Sequence, residues 1–213
     1  MPLTSASVYT KGTGAIYPYM DVQAAMYVVS EQRAADGLGA FRRVTYKYSG
    51  MRMRHRGRGN LGFDGTTITD VTNGVIETAA YRQDFPYIGA QFQETTTLAD
   101  GRTISDRTTS HWDIPLGAGS ALRRFVYVQT DKAHSWEINL PNRVVTSTIT
   151  TNEYTEMTQY GNLTRSTVQV YPGVETGGYV PFTTLNDNSY SNDAFQWRLG
   201  RLLTASVTRT NPD

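Results

Sequence analysis

The sequence predicts an all-β chain, a large, mostly antiparallel twisted sheet built as a meander of hairpins. Three observations carry that expectation. Short runs alternate, as in Arg42-Arg43-Val44-Thr45-Tyr46-Lys47-Tyr48-Ser49, where Val44, Tyr46 and Tyr48 share one face and Thr45, Lys47 and Ser49 the other. A period of two marks a half-buried strand. Asn73-Gly74 and Asp100-Gly101 separate such runs, and these dipeptides suit tight hairpin turns. No amphipathic helical stretch of convincing length follows residue 40.

Residues 1–40 read as an irregular N-terminal arm punctuated by Gly12, Gly14, Pro18, Gly37 and Gly39, with one strand at Tyr27-Val28-Val29. Val22 to Ala35 also has a helical reading; the extended one is preferred. Residues 41–213 read as one antiparallel β domain. Thr66 to Thr72 and Val75 to Tyr81 flank Asn73-Gly74, and Gln91 to Leu98 and Thr103 to Trp112 flank Ala99-Asp100-Gly101-Arg102. Leu122 to Gln129 and Ser135 to Leu140 then flank an expected turn at Thr130 to Ala133. Val144 to Thr151 and Tyr154 to Tyr160 form a pair across Asn152-Glu153, followed by strands over Leu163 to Tyr171 and Leu202 to Thr210. Longer loops are expected at Pro86 to Gly89, Pro115 to Ser120 and Gly173 to Asp193, the last a mobile excursion. Tyr160-Gly161-Asn162-Leu163-Thr164 echoes Leu199-Gly200-Arg201-Leu202-Leu203 as a weak repeat in which a glycine turn launches a strand.

Composition excludes several classes of function. The 213 residues carry a net charge of +1, too little to argue for nucleic acid or an anionic membrane surface. Only 18% of residues are charged, and threonine, serine and fourteen tyrosines supply the polar surface. With no cysteine, disulfide scaffolds, thiolate zinc sites and cysteine nucleophiles are excluded. No membrane-spanning run is present, and Met1-Pro2-Leu3-Thr4-Ser5 carries no readable signal peptide.

Sharper chemical readings find little support. His55, His111 and His134 each stand alone, without a neighbour at metal-ligand spacing. Arg52, Arg54, His55, Arg56 and Arg58 form a basic cluster that is expected to pair with carboxylates and lay its stems on apolar surface. Gly57 to Gly62 lacks the lysine and the following helix of a phosphate loop. Asp64, Asp70, Asp84, Asp100, Asp106 and Asp113 are scattered; two of them meeting across strands would suit a glycoside hydrolase, the enzyme alternative. Asn186-Asp187-Asn188 with Asp193 lacks EF-hand spacing and reads as a solvated loop. Trp112, Trp136 and Trp197 could line a sugar-binding groove, which keeps a carbohydrate-binding or adhesin domain as the binding alternative. The expectation is a chain that is not an enzyme and has no cofactor or metal site.

Several pieces together resemble one family. Tyr46-x-Tyr48-x-Gly50 followed by Gly57-Arg58-Gly59-Asn60-Leu61-Gly62-Phe63 is similar to the Gly-Arg-Gly-Phe-Leu-Gly-Phe signature of toxin-complex B components and related secreted Rhs (YD-repeat) proteins. Tyr81-Arg82-Gln83-Asp84-Phe85-Pro86 resembles the segment after that signature, and Tyr17-Pro18 with Tyr27-Val28-Val29-Ser30 the segment before it. Gly161-Asn162-Leu163-Thr164 and Leu199-Gly200-Arg201-Leu202 look like degenerate YD-type turns. The chain departs from the pattern at Asn60, where phenylalanine is usual, and at Gln159-Tyr160-Gly161, which lacks the Tyr-Asp pair. The resemblance implies an exported bacterial protein whose strands wall a hollow shell around a C-terminal toxin cargo. Its partners would be the rest of a longer chain and that cargo, without nucleic acid or direct membrane insertion, and open sheet edges would allow self-association. It implies that Tyr46, Tyr48, Gly57, Arg58, Gly59, Leu61, Gly62 and Phe63 are structural, serving packing and close backbone approach.

Overall fold

The computed structural model describes the chain except residues 38, 116–122, 141–142, 156–159 and 213. Among the described residues it is all-β, with no helix. The strands are β1 (Tyr9–Thr10), β2 (Tyr19–Asp21), β3 (Glu31–Ala35), β4 (Phe41–Ser49), β5 (Arg52–Arg54), β6 (Gly59–Asn60), β7 (Gly65–Asp70) and β8 (Val75–Tyr81). They continue as β9 (Gln91–Thr97), β10 (Thr103–Pro115), β11 (Arg124–Trp136), β12 (Val144–Thr155), β13 (Asn162–Tyr171), β14 (Phe182–Asp193) and β15 (Arg198–Thr210). A 12-stranded sheet follows chain order from β7 to β15 and opens β1-β4-β7, with β3 also paired to β4; β2, β5 and β6 form a separate 3-stranded sheet. The chain divides into two compact units, 1–106 and 107–213.

In the first unit, the N-terminal residues are woven into β4 and β5. Thr10 pairs with Ser49 in parallel, Glu31 to Ala35 run antiparallel to Thr45 to Phe41, and Tyr19 to Asp21 pair with β5. The strand expected at Tyr27-Val28-Val29 reduces to a single bridge from Tyr27 to Pro2. Instead, the Met1 ammonium donates to the Val28 carbonyl at 2.8 Å while Val28 packs against the core. That core is small: Leu3, Val8, Tyr9 and Met51 are buried together, with Val22, Ala24, Val28, Tyr48 and Phe63 against them. The hairpin expected at Asn73-Gly74 is present: β7 and β8 pair from Asp70↔Val75 to Gly65↔Ala80. The Asn73 side chain accepts from the Val75 amide at 3.0 Å, and Gly74 adopts φ 75°, the left-handed conformation that favours glycine. At the next turn, Asp100 accepts from the Arg102 amide at 3.1 Å.

The second unit departs from expectation in element length. Thr130 to Ala133 are not a turn; they lie inside β11, in register with Thr151 to Thr148 of β12. Asn152-Glu153 is likewise internal to β12. The segment expected as a mobile excursion contains the 12-residue strand β14, paired on both sides. One physical cause explains all three differences. Polar residues that read as turn formers are satisfied across the sheet. Asp131 accepts from Arg107 at 2.8 Å and from Thr109 at 2.8 Å, Asn152 donates to the Val128 carbonyl at 3.1 Å, and Asp187 meets Arg165 at 2.6 Å. The expected loop at Pro115 to Ser120 and most of the Tyr154 to Tyr160 strand fall outside the described residues.

The weak repeat has a structural counterpart with one further copy. On the return strand of three hairpins, the residue three positions after a left-handed glycine is bulged, and the residue before the bulge faces a tyrosine. Gly161 (φ 66°) precedes a bulge at Thr164, and Leu163 faces Tyr154. Gly200 (φ 67°) precedes a bulge at Leu203, and Leu202 faces Tyr190. Gly89 (φ 78°) precedes a bulge at Phe92, and Gln91 faces Tyr81. A fourth bulge, at Val145, sits where Val144 faces Trp136. Each extra residue bends its strand and breaks the uniform ladder at a defined place, which pins register where alternation alone would allow a slip.

Two measurements test this account. A Cβ on Gly161 would lie 2.7 Å from the Phe125 ring, in a conformation L-residues avoid. Gly161→Ala is expected to lower unfolding stability by roughly 2 to 5 kcal/mol in urea titration. Gly178→Ala, where φ is also positive but a Cβ would meet nothing within 4 Å, is expected to lose only about 1 kcal/mol. Equal losses at the two sites would refute the packing role of Gly161.

The second test concerns Asp131. Burial pushes its carboxyl up, but the hydrogen bonds from Arg107 and Thr109 and the guanidinium charge outweigh this and hold it below the ordinary range. A depressed folded-state value stabilises above the unfolded value of about 3.9 and loses that contribution as pH falls through the folded one. Arg107→Gln should therefore lower the urea midpoint at pH 7, with the difference from the parent narrowing below about pH 4. A difference independent of pH would remove the ion pair as its cause.

Candidate functional site

The most distinctive stretch, Tyr46 to Phe63, forms a buckle around the core. Strand β4 alternates, so Tyr46 and Tyr48 project to the same side. The Tyr48 hydroxyl donates to the Val29 carbonyl at 3.1 Å and the Tyr46 hydroxyl to Gln32 at 3.0 Å, which ties the preceding segment onto β4. Phe63 closes the aromatic cluster, 5.0 Å from the Tyr48 ring and 6.0 Å edge-on from Tyr9. Leu61 is 2% exposed. Beneath them, the Tyr9 hydroxyl donates to the Val22 carbonyl at 2.5 Å and accepts from the Met51 amide at 3.0 Å. Burial raises the Tyr9 titration, so the phenol stays protonated and able to do both.

The glycines act differently from the close backbone approach expected of them. Gly57, Gly59 and Gly62 have φ of 94°, 66° and 83°, and a Cβ on any of them would meet nothing within 4 Å. The required feature is therefore left-handed backbone, which folds the β5–β6 hairpin back so that Leu61 donates to the Arg52 carbonyl at 2.9 Å. The close approach occurs at Gly50 instead, where φ is 59° and a Cβ would fall 1.9 Å from the Asp64 carboxylate. That carboxylate accepts from Ser49 at 2.5 Å. Asn60 is exposed, and its side chain accepts from the Gly62 amide at 2.9 Å. A turn-forming amide thus stands where the family signature has an aromatic ring.

Sequence reasoning missed two residues that hold the buckle. Tyr9 lies in a segment with no periodic signal. Gln83 donates from one amide nitrogen to both the Gly50 and Gly62 carbonyls, at 2.7 and 2.8 Å, clamping the two ends of the β5–β6 excursion. The only hint of it is its place within Tyr81 to Pro86, the segment that resembles the family's stretch C-terminal to the signature.

Three arginines of the basic cluster divide between carboxylate and aromatic partners. Arg52 meets Asp21 at 3.1 Å. The Arg54 guanidinium lies 5.7 Å from the Tyr19 ring centre, and that of Arg58 lies 3.2 Å from Phe85. Most of the scattered aspartates have individual partners. Asp70 meets Arg42 at 2.8 Å, Asp84 meets Arg82 at 2.5 Å, Asp100 meets Arg102 at 2.7 Å, and Asp113 pairs with Arg124. Asp70, Asp84 and Asp100 are held below the ordinary carboxylate range, the opposite of what a general acid needs. His134 contacts Glu175 at 3.0 Å and faces Ser147 across β11 and β12. Ser147 is 0% exposed and donates to the Gly173 carbonyl at 2.6 Å, so it presents no nucleophile. Asn186 and Asn188 are internal to β14 rather than in a loop, and among the described residues no group of three or more His, Asp or Glu could hold a metal. Trp112 is 54% exposed on β10 and Trp197 is 79% exposed at the turn before β15.

No protein-family model matches the chain, and no curated protein matches it. In fold it is similar to a chain of the crystal structure of TcdB2-TccC3-Cdc42, with a TM-score of 0.66 over 86% of this chain at 9% identity. The likeness covers 13% of that chain. At that identity the likeness shows the fold alone. The chain is folded like part of that chain, which agrees with the all-β fold that the resemblance of the Tyr46 to Phe63 stretch implied. It also places the two departures from the signature in context, because neither Asn60 nor the missing Tyr-Asp pair prevents that fold.

The packing of the buckle is open to direct test. Phe63→Ala removes the ring shared by Tyr9 and Tyr48 and is expected to cost roughly 2 to 4 kcal/mol by chemical denaturation. Tyr48→Phe removes only a hydroxyl hydrogen bond and should cost about 0.5 to 1 kcal/mol. A Phe63→Ala loss no larger than that of Tyr48→Phe would show that the aromatic cluster does not hold the segment.

Proposed function

We propose that this chain is a structural, non-catalytic segment of the wall of an Rhs-type shell. In the longer, exported polypeptide that contains it, the wall encloses a C-terminal toxin cargo. The observation that carries the reading is the fold likeness to a toxin-complex chain over most of this chain's length. The residues agree with it. A wall needs a wide sheet, strands of similar length and repeated corners rather than a deep core. Strands β10 to β15 run 10 to 13 residues each, and the tyrosine–glycine–bulge corner recurs. The outermost strand, β15, has all thirteen residues exposed and one side unpaired among the described residues, which suits continued strand addition. The neutralised carboxylates suit a surface that is not asked to do chemistry.

The reading is tested on the polypeptide encoded by the complete reading frame. Negative-stain electron microscopy is expected to show a hollow particle. Limited proteolysis should leave its C-terminal segment uncut until the particle is opened with denaturant. A solid particle, or a C-terminal segment cleaved at the same rate before and after opening, would overturn the proposal.

A further inference from the structure

Within the basic cluster, Arg52 and Arg54 lie on β5 with their guanidinium groups only partly engaged, and we propose that the Arg52 end of this pair forms a binding site for a single carboxylate group. The inference does not depend on the shell reading. Alternation along β5 places Arg52 and Arg54 on one face, about 7 Å apart along the strand. Opposite them on β2 stand Asp21, in register with Arg52, and Tyr19, in register with Arg54. On the other flank, Gly59 faces Arg54, and a Cβ there would meet nothing within 4 Å, so the face stays open beside the arginine.

The two guanidinium groups are incompletely satisfied. Arg52 engages Asp21 through Nε alone, at 3.1 Å, and among the described residues its two terminal nitrogens have no protein partner. Asp21 is shared with the Ala15 amide, which it accepts at 2.8 Å. The Nε of Arg54 is buried without a hydrogen-bond partner. A guanidinium offers five donors in a planar fork that matches a carboxylate; the Arg54 Nε is an orphaned buried donor, and the Arg52 terminal nitrogens, on a side chain 31% exposed, are free to meet a ligand in place of water.

Arg52 opens into a cleft of about 250 Å³ lined by Tyr19, Tyr81, Gln83 and Asp84 as well. The lining selects the ligand. Asp84 is already held by both Nε and Nη2 of Arg82, at 2.8 and 2.5 Å, and Asp21 by Arg52. Neither demands a further cation, yet both repel a dianion. The free ends of Arg52 therefore favour one negative charge. The volume lies just under the range of about 300 to 1,000 Å³ typical of small-molecule pockets, so it admits a group the size of a side chain. Two tyrosines offer an apolar lining for the stem that carries the acid. The ligand class is a monocarboxylate on a short apolar or aromatic stem, either an acidic side chain of a polypeptide or a free small acid.

The site is tested by NMR titration of the ¹⁵N-labelled protein, following the Arg52 Nε–H signal. The probes are the α-amide of N-acetylglutamate, benzoate, neutral benzamide and inorganic phosphate. At least one carboxylate is expected to shift the signal saturably, with benzamide leaving it in place. Arg52→Lys keeps a cation opposite Asp21 but loses the fork, and should weaken binding roughly tenfold as read on the Gln83 side-chain amide. Tyr19→Leu should weaken it severalfold without touching the arginine, and Arg56→Gln should leave it unchanged. Tighter binding of the glutamate derivative assigns the site to an acidic side chain, and tighter binding of benzoate to a free acid. The proposal is overturned if no probe saturates, if benzamide matches benzoate, if phosphate binds more tightly than both carboxylates, or if binding survives both Arg52→Lys and Tyr19→Leu.

Discussion

The second unit depends on one constraint: each strand must return in a single register, although almost nothing is buried to enforce it. Among its described residues only Ser147 is buried. Hydrophobic burial, usually the main favourable contribution to folding, is therefore spread thinly over half-exposed side chains. Backbone ladders supply cohesion without fixing register, because a slip of one residue merely exchanges two similar polar faces. The corner fixes it. At the β12–β13 return, Tyr154 packs 4.7 Å from Tyr127 and 5.6 Å from Phe125, while bare Gly161 fits against the same Phe125 ring. Any other register would bring a side chain where only glycine fits, and would move the Thr164 bulge out from under the Glu153 carbonyl that its hydroxyl meets at 3.1 Å.

The first unit solves the same problem by different means. There the N-terminal residues fold over β4 and supply three of the four residues at the centre of the core, Leu3, Val8 and Tyr9. Its register is set by burial, with Tyr9 reading the position of both Val22 and Met51 through one hydroxyl. The tyrosine–glycine–bulge corner nevertheless recurs there, at Tyr81, Gly89 and Phe92. The corner is thus a property of the hairpins rather than of the surroundings in which they fold.

These two mechanisms determine how much of the fold was legible in the sequence. The strands around Asn73-Gly74 and the face shared by Tyr46 and Tyr48 were legible because turn chemistry and alternation act over a few residues. The extents of β11, β12 and β14 were not. Asp131, Asn152 and Asp187 are turn formers by local preference, and what keeps them in strands is a partner more than twenty residues away. Tertiary pairing overrode propensity at each of them. The Tyr46 to Phe63 stretch reads as architectural from its sequence, but the reason for its glycines does not, since a left-handed φ and a close backbone approach call for the same residue. Tyr9 left no local trace, and Gln83 only its place within Tyr81 to Pro86, because each acts on residues far along the chain, Gln83 on Gly50 and Gly62 and Tyr9 on Met51.

The distribution of charge adds a last step. Arg107 with Asp131, Arg124 with Asp113 and Arg165 with Asp187 are ion pairs in the second unit, each linking residues well apart in sequence. With their arginines 33 to 56% exposed, these pairs contribute modestly to stability. Their effect is on specificity, because a shifted register would leave each carboxylate facing a hydroxyl or an alkyl group. Strand β15 breaks the pattern. Arg198, Arg201 and Arg209 form no ion pair among the described residues, and Leu202, Leu203 and Val207 are 52%, 59% and 60% exposed. Edge strands are normally short, bulged or guarded by lysine and proline. This one is thirteen residues long without either guard residue, and its bulges lie near the corner. Its guards are three arginines and bulges near the corner, so most of its unpaired side is open to pairing with another strand.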